Sequence, residues 1–322
     1  MDDEAVHGET KAIEPAPISS VLGLENTRPL TDELAAGHLG RIQILGDWTT
    51  RAATLRRLRS LRTRSVPVKG QDGALLVLAD TCGIEHEAYV RSHSLLPFVC
   101  FTIRNARMQS NNGFWEHTVI SLVGLRSPRP RAYMCAACVG GDISRRGYSY
   151  WRRAHQLPGV HWCEQHGDPL ISTQAPEAFD QMPSSWRASA TPGPRELANR
   201  SNRVVDRFVA NVRWMLAGGR SWPVETVRAG LLAKAEDFQL RLAPPGNKPL
   251  LSDLAVAALP LSLIDELVPG ASRKERGKYL SAIDGALAGS GGTPVSVAIA
   301  LTLLFETAEE AMRACCPSTA TA

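Results

Sequence analysis

The chain lacks the long apolar run that a membrane helix needs. Its most hydrophobic stretch, Val295–Leu304, is far too short to cross a bilayer. The N-terminus is acidic and has no apolar segment behind it, so it does not read as a secretory signal. The sequence holds no Walker-type glycine loop and no HExxH element, and none of its carboxylates are spaced to grip two metal ions. The expectation is a protein that is not an enzyme. Lysine is scarce, 6 residues against 30 arginines. The cysteines number 7, an odd count that fits no complete set of disulfides, and the compartment reads as a reducing cytoplasm.

What is present is ordinary globular composition, 44% hydrophobic and 21% charged over 322 residues, enough to bury a sizeable core. The net charge of +4 is unevenly spread. Residues 1–27 hold six acidic residues and one lysine, so they carry −5 and leave +9 for the rest. Such a body attracts polyanions, and the arginine fork suits phosphate and carboxylate. Residues 1–27 read as a flexible leader, with order beginning near Pro29. Leu34, Leu39 and Ile42 suggest a first helix. Thr50 is placed to cap a second through Leu61. The stretch Arg51–Arg64 has six arginines, Arg56, Arg57 and Arg59 among them, and no acid; it is either a phosphate-facing helix or a solvated face. A third helix over Gly73–Asp80 should end at Gly83, and a fourth should cover Ile84–Ser92. Trp115–Leu125 suits a buried helix or strand. Ser184–Pro194 is rich in turn residues and reads as a linker. Beyond it the pattern is helical: Val204, Phe208, Val212 and Met215 share one face, Pro223 opens a helix to about Glu236, and Leu251–Leu267, Lys274–Leu287 and Pro294–Ala314 follow.

The clearest signal is Cys135-x2-Cys138, then 24 residues, then Cys163-x2-His166. Each close pair can grip one ion from a tight turn, and two pairs give the soft and borderline donors that tetrahedral zinc takes. A redox dithiol would need only the first pair. A catalytic zinc needs an open position, and four protein ligands leave none. The pattern therefore predicts a structural Zn2+ site, with the subdomain melting when the metal is lost. The remaining Cys82 and Cys100 read as small core residues, and Cys315 and Cys316 as part of an exposed tail.

The loop between the half-sites interleaves Tyr148, Tyr150 and Trp151 with Arg145, Arg146, Arg152 and Arg153. The aromatics could stack on bases while the arginines meet a backbone. They could equally pin the loop around the metal, with Trp151 as a small core and His155 packing or hydrogen-bonding. An unpaired buried charge is costly, which favours solvent or nucleic acid as the surroundings of the arginines.

The run CAACVGGDISRRGYSYWRRAHQLPGVHWCEQHGDPL resembles the zinc segment of the TniQ/TnsD family of transposition target-selection proteins. The stretch RPLTDELAAGHLGRIQILG is similar to that family's opening segment. LADTCGIEHEAYVRSHSLLPF, with His93-Ser94-Leu95-Leu96-Pro97, is similar to its next one. The resemblance covers about residues 28–170. It implies Cys135, Cys138, Cys163 and His166 as ligands, with Trp151, His155, Pro158 and Gly159 in the signature between them. Ala136 stands where the family often has proline. Over 195–315 the likeness is weaker, and there the family often carries helix-turn-helix-like modules.

The expected fold class is mainly α: helical bundle modules, an embedded Cys3His zinc-knuckle subdomain at 131–170 and a helix-turn-helix-like C-terminal region. The expected divisions are a leader at 1–27, a TniQ-like domain at 28–180, a linker at 181–196 and a helical domain at 197–322. Candidate recognition helices are Val224–Glu236 and Lys274–Leu287, the second with Arg273 and Lys274 at its start. The resemblance implies a non-enzymatic adaptor that binds target DNA or a CRISPR surveillance complex and recruits the transposon's AAA+ ATPase, with a homodimer among the options and no membrane. The alternatives are a sequence-specific transcriptional regulator using the C-terminal helices, and a protein-only interaction module.

Overall fold

The computed structural model describes residues 27–61, 73–103, 115, 119–120, 124–175, 177–193, 202–219, 221–243, 246–288 and 292–316. The leader lies outside these residues apart from Thr27, as do Arg62, Arg64 and most of Trp115–Leu125. The protein is mainly helical.

The N-terminal part folds as α1 (Ala35–Leu45), α2 (Arg51–Ser60), α3 (Ala74–Cys82), α4 (His86–His93) and the short α5 (Leu96–Val99). Thr50 caps α2 as expected, its side chain accepting from Ala53 N. Gly83 ends α3 in the left-handed conformation, φ 63°. Leu39, Ile42, Leu58, Leu75–Leu78, Tyr89 and Leu96 close a first core between these helices. The Ser94 hydroxyl donates to Val90 O and accepts from Leu96 N, so it finishes α4 and starts α5. The next element, β1 (Thr102–Ile103), pairs in parallel with β5 (Trp222–Pro223), which ties the two halves of the chain together.

Between them lies the segment of the cysteine motif. β2 (Ala132–Met134) leads into α6 (Ala136–Arg146), and β3 (Ile171–Thr173) sits between β2 and β4 (Thr191–Pro192) in an antiparallel sheet. Part of the stretch read as a linker is thus regular: α7 (Pro183–Trp186) and β4 fall inside it.

The C-terminal part has α8 (Arg203–Ala217), α9 (Val224–Asp237), α10 (Leu251–Ala258), α11 (Leu261–Leu267), α12 (Ser281–Asp284), α13 (Pro294–Leu304) and α14 (Ala308–Cys315). α13 is apolar all round, and Ser296–Thr302 is buried throughout. It packs against α8, α9, α10 and α12 as the central helix. α8 buries Val205, Phe208, Val212 and Met215, close to the expected face.

Three long helices expected here are interrupted, each for a local reason. Pro260 lacks an N–H and drives Leu259 to an extended conformation, φ −93° and ψ 147°, so 251–267 becomes α10 and α11. Residues 274–287 are not one helix. Lys274 is drawn onto Asp253, Gly277 takes φ 78°, and Asp284 accepts from Leu280 N and Ser252, leaving only the single turn of α12. The last helix breaks at Phe305, and Thr307 caps a new start by accepting from Glu310 N. Cys315 and Cys316, expected on an exposed tail, are buried. A second, larger core runs without interruption from Leu34 through the cysteine motif to Cys316.

A buried polar cluster anchors α1. The Arg41 guanidinium donates to both Glu33 carboxylate oxygens at 2.8 Å. His38 Nε2 lies 2.6 Å from Thr27 O, and its Nδ1 lies 2.7 Å from the Tyr89 hydroxyl, which satisfies a neutral imidazole. Burial lowers the His38 pKa from 6.5 to about 4, against the opposing pull of the Glu33 carboxylate. Between those two pH values the unfolded chain takes up a proton that the folded chain refuses. Stability therefore falls on acidification through this window, by about 3 kcal/mol in total. Urea midpoints at pH 7 and pH 4.5 should differ accordingly, and His38→Gln should remove much of the difference. An unchanged slope in that variant would assign it to other groups.

Candidate metal centre

Cys135 follows β2 and caps α6, its sulfur accepting from Cys138 N at 3.5 Å. Cys138 then sits one turn into the helix. The other half-site is a turn in which Gly167 N donates to Cys163 O and Cys163 N donates to Asp168 O, each at 2.8 Å. The strand register brings the two turns together: Tyr133 pairs with Ser172, and Trp162 bridges to Pro169.

The result is a compact donor set. The ligand atoms of Cys135, Cys138, Cys163 and His166 all lie within 4.8 Å of one another. His166 Nδ1 is 3.6, 3.4 and 3.5 Å from the three sulfurs, and the Cys138 and Cys163 sulfurs are 3.6 Å apart. A tetrahedron with zinc–thiolate bonds of about 2.3 Å has edges of about 3.8 Å. The cluster is therefore already close to the size of a tetrahedral ion's shell, and its chemistry, three thiols and an imidazole, suits a borderline-soft metal. The three cysteines are buried and His166 is exposed. The Cys163 thiol is held far below its usual range by hydrogen bonds from the Cys135 and Cys138 thiols, with a further one from His155.

The loop between the half-sites faces inward. Trp151 is buried and donates to Gln181 O at 2.8 Å while meeting Phe179 edge-on. It lies against Gly37 of α1, and one turn on, a Cβ at Gly40 would stand 2.0 Å from Phe179 O, so α1 accepts this loop only through bare backbone. Tyr150 is also buried, beneath the Arg152 guanidinium at 4.3 Å, and Tyr148 lies under Arg41 at 5.6 Å. Gln156 pairs with both backbone groups of Tyr133, its Oε1 accepting from Tyr133 N at 2.9 Å and its Nε2 donating to Tyr133 O at 2.7 Å. His155 is buried beside Cys138 and Cys163, in a pocket of about 310 Å³ that Arg152 also lines. Leu157 is buried, and Pro158 leads into Gly159 at φ 71°, where a Cβ would stand 2.5 Å from the Phe208 ring.

The basic residues separate into two groups. Arg152 makes a bidentate bond to the buried Asp142, at 2.7 and 3.0 Å. Arg153 bonds to Asp32 and to the carbonyls of Arg91 and Ser94. Lys274 is 5% exposed and bonded to Asp253, and Arg59 is half-buried on α2. Arg56, Arg57 and Arg273 are exposed, as are Arg145 and Arg146, which lie at 3.5 Å from Asp142 at the end of α6. Residue patterns along the chain do not reveal one further cluster. Arg129 is buried, with its guanidinium stacked on Tyr133. It donates to the carbonyls of Val160 at 2.7 Å and Leu157 at 3.2 Å and to Glu266 of α11 at 2.8 Å. His161 Nε2 lies 2.7 Å from the other Glu266 oxygen. Glu266 is 137 residues from Arg129 and belongs to no motif.

Fold and site together define a mainly helical protein with a Cys3His cluster whose geometry could hold a metal ion. Residues 26–170 match the family model TniQ. The chain carries a TniQ domain there, over a little under half its length. Among curated proteins none matches the chain. Among the described residues no helix is long and apolar enough to cross a membrane.

Proposed function

We propose that the chain is a non-catalytic target-selection adaptor for DNA transposition. It engages target DNA or a guide complex and recruits the transposon's AAA+ ATPase, and its Cys3His cluster holds a structural Zn2+. The TniQ domain over residues 26–170 carries this reading. The metal would be held by Cys135, Cys138, Cys163 and His166, where four protein donors leave no open position for chemistry. Its contribution is to fix the two turns against each other. The adaptor supplies geometry and local concentration rather than bond breaking.

The exposed arginines, Arg56 and Arg57 on α2 and Arg145 and Arg146 on α6, are the contacts proposed for a polyanion. Arg152, Arg153 and Lys274 are spent on internal carboxylates. The loop aromatics are packed inward, so base stacking is not part of the proposal.

The experiment is genome-wide crosslinking of the tagged protein in its native host, with co-purified proteins identified from the same sample. Recovery of an AAA+ ATPase together with crosslinks at defined chromosomal sites is the expected result. A fixed attachment site would indicate direct recognition, and a guide-matched site with Cas proteins would indicate borrowed specificity. Crosslinks at promoters with no ATPase would overturn the adaptor reading in favour of a regulator.

A further inference from the structure

The loop 155–162 has little secondary structure of its own to hold it. Its beginning is fixed by the pairing of Gln156 with the Tyr133 backbone, and its end runs directly into Cys163 of the metal cluster. The middle is not a free surface. Gly159 lies against Phe208 of α8 and Leu263 of α11: a Cβ there would stand 2.5 Å from the Phe208 ring, a collision, and 3.3 Å from Leu263, a tight contact. Arg129 gathers the carbonyls of Leu157 and Val160 through Nη1 and donates through Nη2 to Glu266 of α11. His161 meets the same carboxylate. Beyond Cys163, the Glu164 carboxylate lies 3.4 Å from Arg213 of α8. Arg129 is 2% exposed and His161 1%, so their contacts act in a low dielectric where they are strengthened. The loop therefore joins the cysteine cluster to the two C-terminal helices it touches.

We infer that the metal knuckle is a strut for the C-terminal helices: metal occupancy, transmitted through residues 157–161, Arg129 and Glu266, sets how firmly α11 and α8 are seated. The inference rests on the metal reading proposed above and goes beyond it, since a purely local zinc site would stabilise 131–170 and nothing else. Coupling of this kind is reciprocal. If the metal seats α11, then loosening α11 must weaken the hold on the metal by the same factor. A protein whose C-terminal module answers to the metal cluster would present that module to its partners in one orientation only when loaded.

The test is hydrogen exchange on the full chain, before and after treatment with a chelator, with zinc content measured on the same samples. Chelation should raise exchange about tenfold or more in 261–267 and 203–217, as well as in 135–166. Exchange confined to 131–170 would overturn the inference. Should the stripped protein precipitate, the loaded Glu266→Gln variant decides, because it keeps an acceptor for Arg129 and removes the charge. That variant should hold zinc at least about fivefold more weakly than the wild type in equilibrium competition with the chelator, with raised exchange in 155–161. Wild-type affinity sinks the strut while leaving the metal site standing. A wild-type chain that carries no zinc sinks the metal reading and the strut with it.

Discussion

Cys163→Ser should cost the protein its metal and its soluble fold together. A structural zinc site of this donor type has an apparent binding free energy of about 10–16 kcal/mol at neutral pH. A domain's whole stability is about 5–15 kcal/mol. Loss of one thiolate therefore removes a contribution as large as the entire margin. It removes it from a place where Cys135, Cys138 and Cys163 are continuous with the core that includes Trp151, Leu157, Phe208 and Leu263. Zinc per chain, measured by elemental analysis, should fall from about one to near zero, with soluble yield falling in parallel. Cys100→Ala, which alters a buried thiol of the first core, should retain full metal content. A Cys163→Ser protein that folds fully without zinc would falsify the structural role.

Arg129→Ala is the second large effect. Its guanidinium is the shared partner of Glu266 and the carbonyls of Leu157 and Val160; its loss takes that donor from both carbonyls and leaves Glu266 facing His161. Breaking a fully buried ion pair by removing one partner costs about 3–5 kcal/mol, because the other charge stays desolvated; with Glu266 23% exposed, the lower end of that range is expected. The lost stacking on Tyr133 adds to this. The comparison that isolates the charge is the double variant Arg129→Met with Glu266→Met. Replacing both partners by apolar groups of similar reach should recover much of the stability. Urea unfolding of the three proteins measures it. A single variant within about 0.5 kcal/mol of the wild type would mean that the cluster contributes no more than an exposed pair.

The four-donor cluster was legible because its information is local. Two turns, each with two donors at a spacing of three, announce themselves whatever surrounds them, and the four side chains meet as the spacing required. The start of α2 at Thr50 and the end of α3 at Gly83 were legible for the same reason, since a cap is decided by its own hydroxyl or its own missing Cβ. The arginine-aromatic loop was not. Its pattern fits a base-stacking surface and a folded-in clasp equally well, and the choice depends on Asp142 and Asp32 standing ready for Arg152 and Arg153. The C-terminal helices were overextended because apolar periodicity continues through Pro260 and Phe305 while the backbone does not.

The sequence by itself determined the donor set, the helical class, the capped ends of the N-terminal helices and the resemblance to the TniQ family, since each depends on residue types at short, fixed separations. Only the tertiary structure decided that Lys274 belongs to Asp253, that Cys315 and Cys316 are core, and that Gly159 exists to admit Phe208. It alone decided that Arg129 and Glu266 close the loop onto α11. Those outcomes turn on which distant residue fills the space beside a side chain. A buried charge or a bare backbone acquires its meaning from that neighbour, and no separation along the chain encodes it.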